Sequence, residues 1–287
     1  MTKPPAPGSE PPDQGNWTIA PPVLRRRFDG AITEAHGYAA PVAGWILLRE
    51  IPTPTLTLVV NLGAPLRIHP PRCPSVTIPP GGGFVAGLHD MPAATETTGA
   101  QRGVQLRLTP SGSYRLFGVP MAELANRVVA LDALLGSTAG ELAERFDVAV
   151  TADERSAAIE AVFGHRWRAG PAPSDVVVHA WARLRASGGL LPVAALADEL
   201  GCTRQHLAAR FREQIGLSPK TAARLLRFRA AVTLAERPGA LDWAAIAQAC
   251  SYFDQAHLGN DFRRFAGVTP GAFARHRDGA IVRESQQ

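Results

Sequence analysis

The chain has 287 residues, 46% of them hydrophobic and 19% charged, with a net charge of +5. That is globular composition, enough for two ordinary domains. No apolar run approaches the ~18 residues of a membrane helix, and the opening MTKPPAPGSEPPDQGN lacks the apolar stretch of a secretory signal, so a cytoplasmic protein without membrane partners is expected.

The positive charge is unevenly placed. Residues 1–179 hold 15 Lys/Arg against 16 Asp/Glu, whereas residues 180–287 hold 15 against 9, and only Lys220 of those later 15 is not Arg. Arginine offers a planar fork suited to phosphate oxygens and guanine edges, so the last third is marked for an anionic partner, with a plain solvated surface as the alternative. Cys73, Cys202 and Cys250 are odd in number and lack CxxC spacing, which argues against a disulfide framework or a structural zinc site.

In chain order, residues 1–22 carry seven prolines without apolar periodicity and read as a flexible tail. Short β-like runs follow: VAGWILLRE (42–50), TLTLVVNLG (55–63), PLRIH (65–69), SVTIP (75–79), FVAGL (84–88) and GVQLRLTP (103–110). Pro and Gly clusters such as PPGGG separate them, the pattern of a compact barrel or sandwich. From Met121 the apolar period becomes helical through MAELANRVVALDALLG, TAGELAERF and ADERSAAIEAVFGHRW, with Thr138 and Thr151 as candidate caps. These boundaries predict a domain over 23–168, with strands in 42–110 and helices in 121–166. The Gly/Pro/Ser-rich AGPAPSD (169–175) reads as a linker, and everything after it as helix.

FREQIGLSP (211–219) returns as FRRFAGVTP (262–270), and the likeness extends upstream: LADELGCTRQHLAARFREQIGLSP (196–219) overlays IAQACSYFDQAHLGNDFRRFAGVTP (246–270) with one extra residue in the second turn. Each copy reads as a short helix, a tight turn and a second helix. Thr203 and Asp254 stand at N-cap positions, Gly216 and Gly267 where a left-handed C′ residue belongs, and Pro219 and Pro270 in the first turn of the next helix. That is helix-turn-helix, written twice.

A two-helix unit must bury one face, which assigns Leu207 with Phe211, and Leu258 with Phe262, to the core. At about 100° per residue, Gln205, Ala209 and Arg212 then fall outward in the first copy, and Ala256, Asn260 and Arg263 in the second. None is a carboxylate. PKTAARLLRFRAAVTLAERPG (219–239) between the copies reads as one helix of roughly 26 Å, long enough to set two reading helices about one duplex turn, ~34 Å, apart.

Residues from about 175 to 277 resemble the DNA-binding domain of the AraC/XylS family of bacterial transcription regulators, most closely in SYFDQAHLGNDFRRFAGVTPGAF (251–273). The resemblance implies a domain over 176–277 that binds double-stranded DNA through the N-terminal parts of both reading helices. By position these are Arg204, Gln205, Ala208 and Ala209, then Gln255, Ala256, Gly259 and Asn260. Gln205 and Asn260 would read base edges, adenine first; Arg212, Arg227, Arg263 and Arg264 would hold phosphates. Ala208 and Ala209 replace longer polar side chains, and Ser251 replaces the usual Gly. The family implies a transcription activator that contacts RNA polymerase under control of a small-molecule effector. Residues 103–136 resemble the join in the cupin-like sensor domains of some relatives, with 278–287 left as a tail. The expected fold class is therefore α+β, a β-rich cupin-like barrel or sandwich with a helical extension before an all-α domain.

Other chemistry is thinner. His36, His69 and His89 lie among the strands without the spacing of a metal site, so no metal and no cofactor is expected. Cys73 stands alone in PRCP as a core or turn residue, with a reactive thiol as the alternative. Trp17, Trp45, Trp167 and Trp181 belong either to packed core or to an apolar effector pocket. His206 and His257 face phosphates or neighbouring helices. ALDALL with TAGELAERF is either a homodimer face or packing against the strands. GxSxG, HExxH and P-loop patterns are absent, so no enzyme is expected. The competing reading is a cupin-like small-molecule binder or enzyme whose helical domain makes protein contacts.

Overall fold

The structure, a computed structural model, describes residues 17–18, 24, 26–40, 46–237, 242–275 and 281–282. Most of both expected tails, Trp45, residues 42–44 of the first expected strand and the Pro238-Gly239 end of the long helix lie outside it.

Two antiparallel sheets form the first half. One runs in the order β1 (Trp17–Thr18), β2 (Ile32–Ala40), β9 (Gln101–Leu108), β4 (Leu56–Asn61), β7 (Gly83–Ala86), β10 (Val128–Ala130). The other runs β11 (Ile281–Val282), β3 (Ile46–Glu50), β8 (Ala93–Thr97), β5 (Leu66–His69), β6 (Val76–Ile78). Strand periodicity sorts their side chains. Leu56, Leu58 and Val60 of β4 and Val104, Leu106 and Leu108 of β9 join the main core shared with the helices. The alternate residues Val59, Gln105 and Arg107 point between the sheets, toward Leu66, Ile68 and Phe84. The sandwich therefore has helices on one face and a separate, smaller interior.

The expected strand set was incomplete. ITEAHGYAA and AATET are poor in bulky β-formers, yet they form β2 and β8, because each lies between two strands that satisfy its backbone. The helix expected to run unbroken through 121–136 also needs correction. It is α2 (Met121–Leu124), a left-handed Asn126 at φ 59°, strand β10 and α3 (Leu131–Leu135). Pairing of Val128, Val129 and Ala130 with the edge of β7 overrides the helical period.

Ahead of these, Thr109 caps α1 (Pro110–Phe117) by accepting from the Gly112 amide at 3.2 Å. Thr138 is not a cap: it is the first residue of α4 (Thr138–Val148), and its hydroxyl donates to the Leu135 carbonyl. Thr151 does cap α5 (Ala152–Ala169), in a reciprocal box with Glu154.

Seven helices follow among the described residues: α6 (Asp175–Ala186), α7 (Val193–Glu199), α8 (Arg204–Ile215), α9 (Pro219–Ala235), α10 (Trp243–Ala249), α11 (Gln255–Ala266) and α12 (Pro270–Arg275). One buried cluster continues from Leu58 in the sheet to Phe265 in α11, so the two halves share a core.

Candidate nucleic-acid interface

Each helix-turn-helix unit is built the same way. Thr203 accepts from the His206 amide at 3.1 Å and Asp254 from the His257 amide at 2.7 Å, which starts α8 and α11. Gly216 (φ 101°) and Gly267 (φ 71°) end them, where a side chain would be strained. Leu207, Phe211, Leu258 and Phe262 are fully buried. The Phe262 ring meets Phe228, Trp243 and Phe273 with centroids 5.1 to 5.4 Å away, and Phe211 lies 6.1 Å from Trp181. These contacts spend the apolar face and turn the other face outward.

On that outward face Arg204, Gln205, Ala209 and Arg212 of α8 are exposed, with Ala208 half-buried at its edge. On α11, Gln255, Ala256, Asn260 and Arg263 are exposed. Gly259 has little area of its own, yet a β-carbon there would meet nothing within 4 Å, so the helix backbone itself is open to close approach. Arg263 donates to Asn260 Oδ1 at 2.8 Å, which fixes the amide orientation while leaving its NH₂ donors free of that bond. Of the two histidines, His206 is exposed and the His257 ring packs on Tyr252.

Arg264 is placed differently from its expected neighbour Arg263. It is half-buried, and its Nη2 pairs with Asp90 Oδ2, in the first half of the chain, at 2.5 Å. Arg227 lies over the Tyr252 ring at 5.4 Å. The buried Asp261 organises this end of the molecule, accepting from Arg224 at 2.5 Å and from the Tyr252 hydroxyl at 3.1 Å. Burial, then the Asp261 charge, push the Tyr252 phenol far above its ordinary range, so it remains a donor. This network ties α11 to α9. The sequence carried no signal for it beyond an Asp at an inward position of an amphipathic helix. A second feature the repeat comparison passed over is Phe253, 93% exposed in the turn before α11.

The C-terminal ends of α8 and α11 rest on the first half of the chain. A β-carbon on Gly216 would lie 2.9 Å from the Met121 carbonyl, and one on Gly267 3.2 Å from the Pro92 ring. The two supports are tied together, since the Asp90 amide donates to Asn126 Oδ1 and the Asn126 amide to the Leu88 carbonyl, each at 2.9 Å. Gln214 of α8 accepts from the Ser174 amide at 2.9 Å, which ties α8 to the start of α6.

Of the other candidates, His69 bonds Glu96 and Ser75, and His89 bonds the Gly87 carbonyl. Among the described residues no three potential ligands gather as a metal site. Cys73 is half-buried near the Asn126 carbonyl, and Trp167 and Trp181 pack into the core.

A helix-turn-helix domain family matches residues 196–276, the span of both units. A putative AraC-like transcription regulator of Streptomyces antibioticus is 36% identical over 85 residues, which are 29% of this chain and 27% of that protein. Over this domain the chain is similar to that AraC-like regulator. A likeness of fold alone extends over both halves. ToxT of Vibrio cholerae superposes with a TM-score of 0.52 at 10% identity, covering 84% of this chain and 97% of ToxT. A ToxT structure bound to (E)-4-(8-methylnaphthalen-1-yl)but-3-enoic acid gives a TM-score of 0.51, also at 10% identity, over 85% of this chain and 98% of that one. Residues 46–130 match a domain of unknown function, DUF6597. No helix among the described residues is long and apolar enough to cross a membrane.

Proposed function

We propose that this chain is an AraC-type, sequence-specific transcription regulator that places α8 and α11 in successive major grooves of double-stranded DNA and is governed by a small-molecule effector. One observation carries the reading: two reading helices present exposed, carboxylate-free N-terminal faces on a common scaffold. Residues 176–277 form the DNA-binding domain and residues 23–168 the sensor and dimerisation domain, with 169–175 between them. Gln205 and Asn260 read base edges, and Arg204, Ala208, Ala209, Gln255, Ala256 and Gly259 shape the approach to the groove floor. Arg212 and Arg263 hold phosphates. Phe253 meets the sugar-phosphate edge beside α11. The protein acts in the cytoplasm, as an activator touching RNA polymerase, and catalyses no reaction.

Arg264 serves two states in this scheme. Paired with Asp90, it holds α11 against the sensor; released, it gains a phosphate. The Asp90 segment is also where a ligand could act, because its neighbours His89 and Met91 line the cavity between the sheets. A gel-shift with fragments from upstream of the gene, at two salt concentrations, tests the assignment. Sequence-selective, salt-dependent retention is expected, and its absence with the full chain would refute it.

A further inference from the structure

The space between the two sheets is a cavity of about 530 Å³, within the usual size of a small-ligand site. Its two ends differ chemically. Val59, Leu66, Ile68, Phe84 and Val128 make an apolar floor. At the other end Arg107 donates through Nη1 to Thr53 Oγ1 at 3.0 Å and Thr57 Oγ1 at 3.2 Å, and with its amide turned to satisfy the guanidinium, Gln105 accepts from Nε and Nη2. All of these partners are neutral.

Glu50 opens onto the same end. Its side chain is exposed along the cavity wall, where the surrounding protein raises its pKa and the Arg107 charge draws it back, and among the described residues its carboxyl makes no hydrogen bond or ion pair. An exposed carboxyl that lines a cavity without such a partner is open to a ligand's head group. Burial also holds His89 below its ordinary range, so that ring is uncharged at neutral pH, and pushes the Tyr38 phenol up to about 12, so it keeps its proton. The charges facing the cavity are then one guanidinium and one carboxyl, attracted but unjoined.

That arrangement selects against charge in the ligand. A carboxylate satisfies Arg107 but confronts Glu50; an amine does the reverse. A hydroxyl or carboxamide both donates and accepts, and so suits Glu50 in either protonation state. We infer that the cavity binds an uncharged amphipathic molecule, its hydroxyl or amide head between Glu50 and Arg107 and its apolar body on the Val59, Leu66 and Phe84 floor. The inference rests on the effector-controlled reading for its biological meaning, but its test needs no DNA.

Decan-1-ol, decanoate and decylamine differ only in head group and can be compared on the full chain by thermal shift and calorimetry below their aggregation limits. Decan-1-ol is expected to bind at least tenfold more tightly than either charged analogue. Glu50→Gln leaves Arg107 unbalanced and should shift the preference to decanoate. Because Glu50 is exposed and has no hydrogen-bond or ion-pair partner among the described residues, this variant keeps the fold, whereas Arg107→Gln loses several hydrogen bonds. A wild-type preference for decanoate or decylamine, an unchanged ranking in Glu50→Gln, or no binding of any of the three overturns the inference. Each of those results leaves DNA binding standing, and a failed gel-shift leaves this ranking standing.

Discussion

Replacing Asp90 by Asn tests whether the first half of the chain restrains α11. The substitution keeps the side-chain shape and the Asp90 backbone bond to Asn126, so the supporting segment stays in place, while Arg264 loses its ionic partner. The Arg264 side chain is 37% exposed and that of Asp90 11%, so solvent screens the pair and its net worth is about 1 kcal/mol rather than the several of a sealed pair. That energy must be given up before Arg264 can reach a phosphate. Without it, DNA binding by the ligand-free chain should tighten about fivefold. One added phosphate contact should also steepen the salt dependence of log K by about 0.9. Fluorescence anisotropy with random-sequence duplexes across a salt series measures both quantities. Adding Arg264→Ala to the variant should remove the gain. If Asp90→Asn binds with the wild-type affinity and slope, or more weakly, the ion pair does not restrain the helix.

Asn260→Ala should cost about 1 to 3 kcal/mol at one base position and flatten preference there, read by site selection from random DNA; an unchanged consensus would remove Asn260 from base reading. Phe262→Ala deletes a ring packed against Phe228, Trp243 and Phe273 and should destabilise the chain by about 3 to 5 kcal/mol, so a wild-type melting curve would contradict its burial. Ser251 sits at φ 53°, as Gly201 does at φ 62° in the first unit, so Ser251→Gly should relieve about 1 kcal/mol of left-handed strain and raise Tm by a few degrees. An unchanged or lower Tm would mean that the serine side chain compensates.

The two helix-turn-helix units were legible because their determinants are local. Caps at Thr203 and Asp254, left-handed Gly216 and Gly267, and inward Leu207, Phe211, Leu258 and Phe262 all act within a few residues of one another, and the repeat exposes them by writing them twice. The strands β4 and β9 were legible as short β-like runs for the same local reason, whereas which of their residues face the helices and which the opposite sheet came from the structure. What failed was the segment 121–136, where the hydrogen-bonding edge of β7 outweighs helical spacing, and β2 and β8, whose weak side chains are carried by their neighbours.

Sequence by itself determined which faces of α8 and α11 turn outward, because periodicity and capping chemistry are properties of neighbouring residues. Tertiary structure alone decided that Arg264 meets Asp90 rather than solvent, that Arg224 and Tyr252 converge on Asp261, and that Glu50 and Arg107 share a cavity. Those partners are separated by 9 to 174 positions, and charge pairing at such distances depends on how the chain is brought together rather than on the pattern along it.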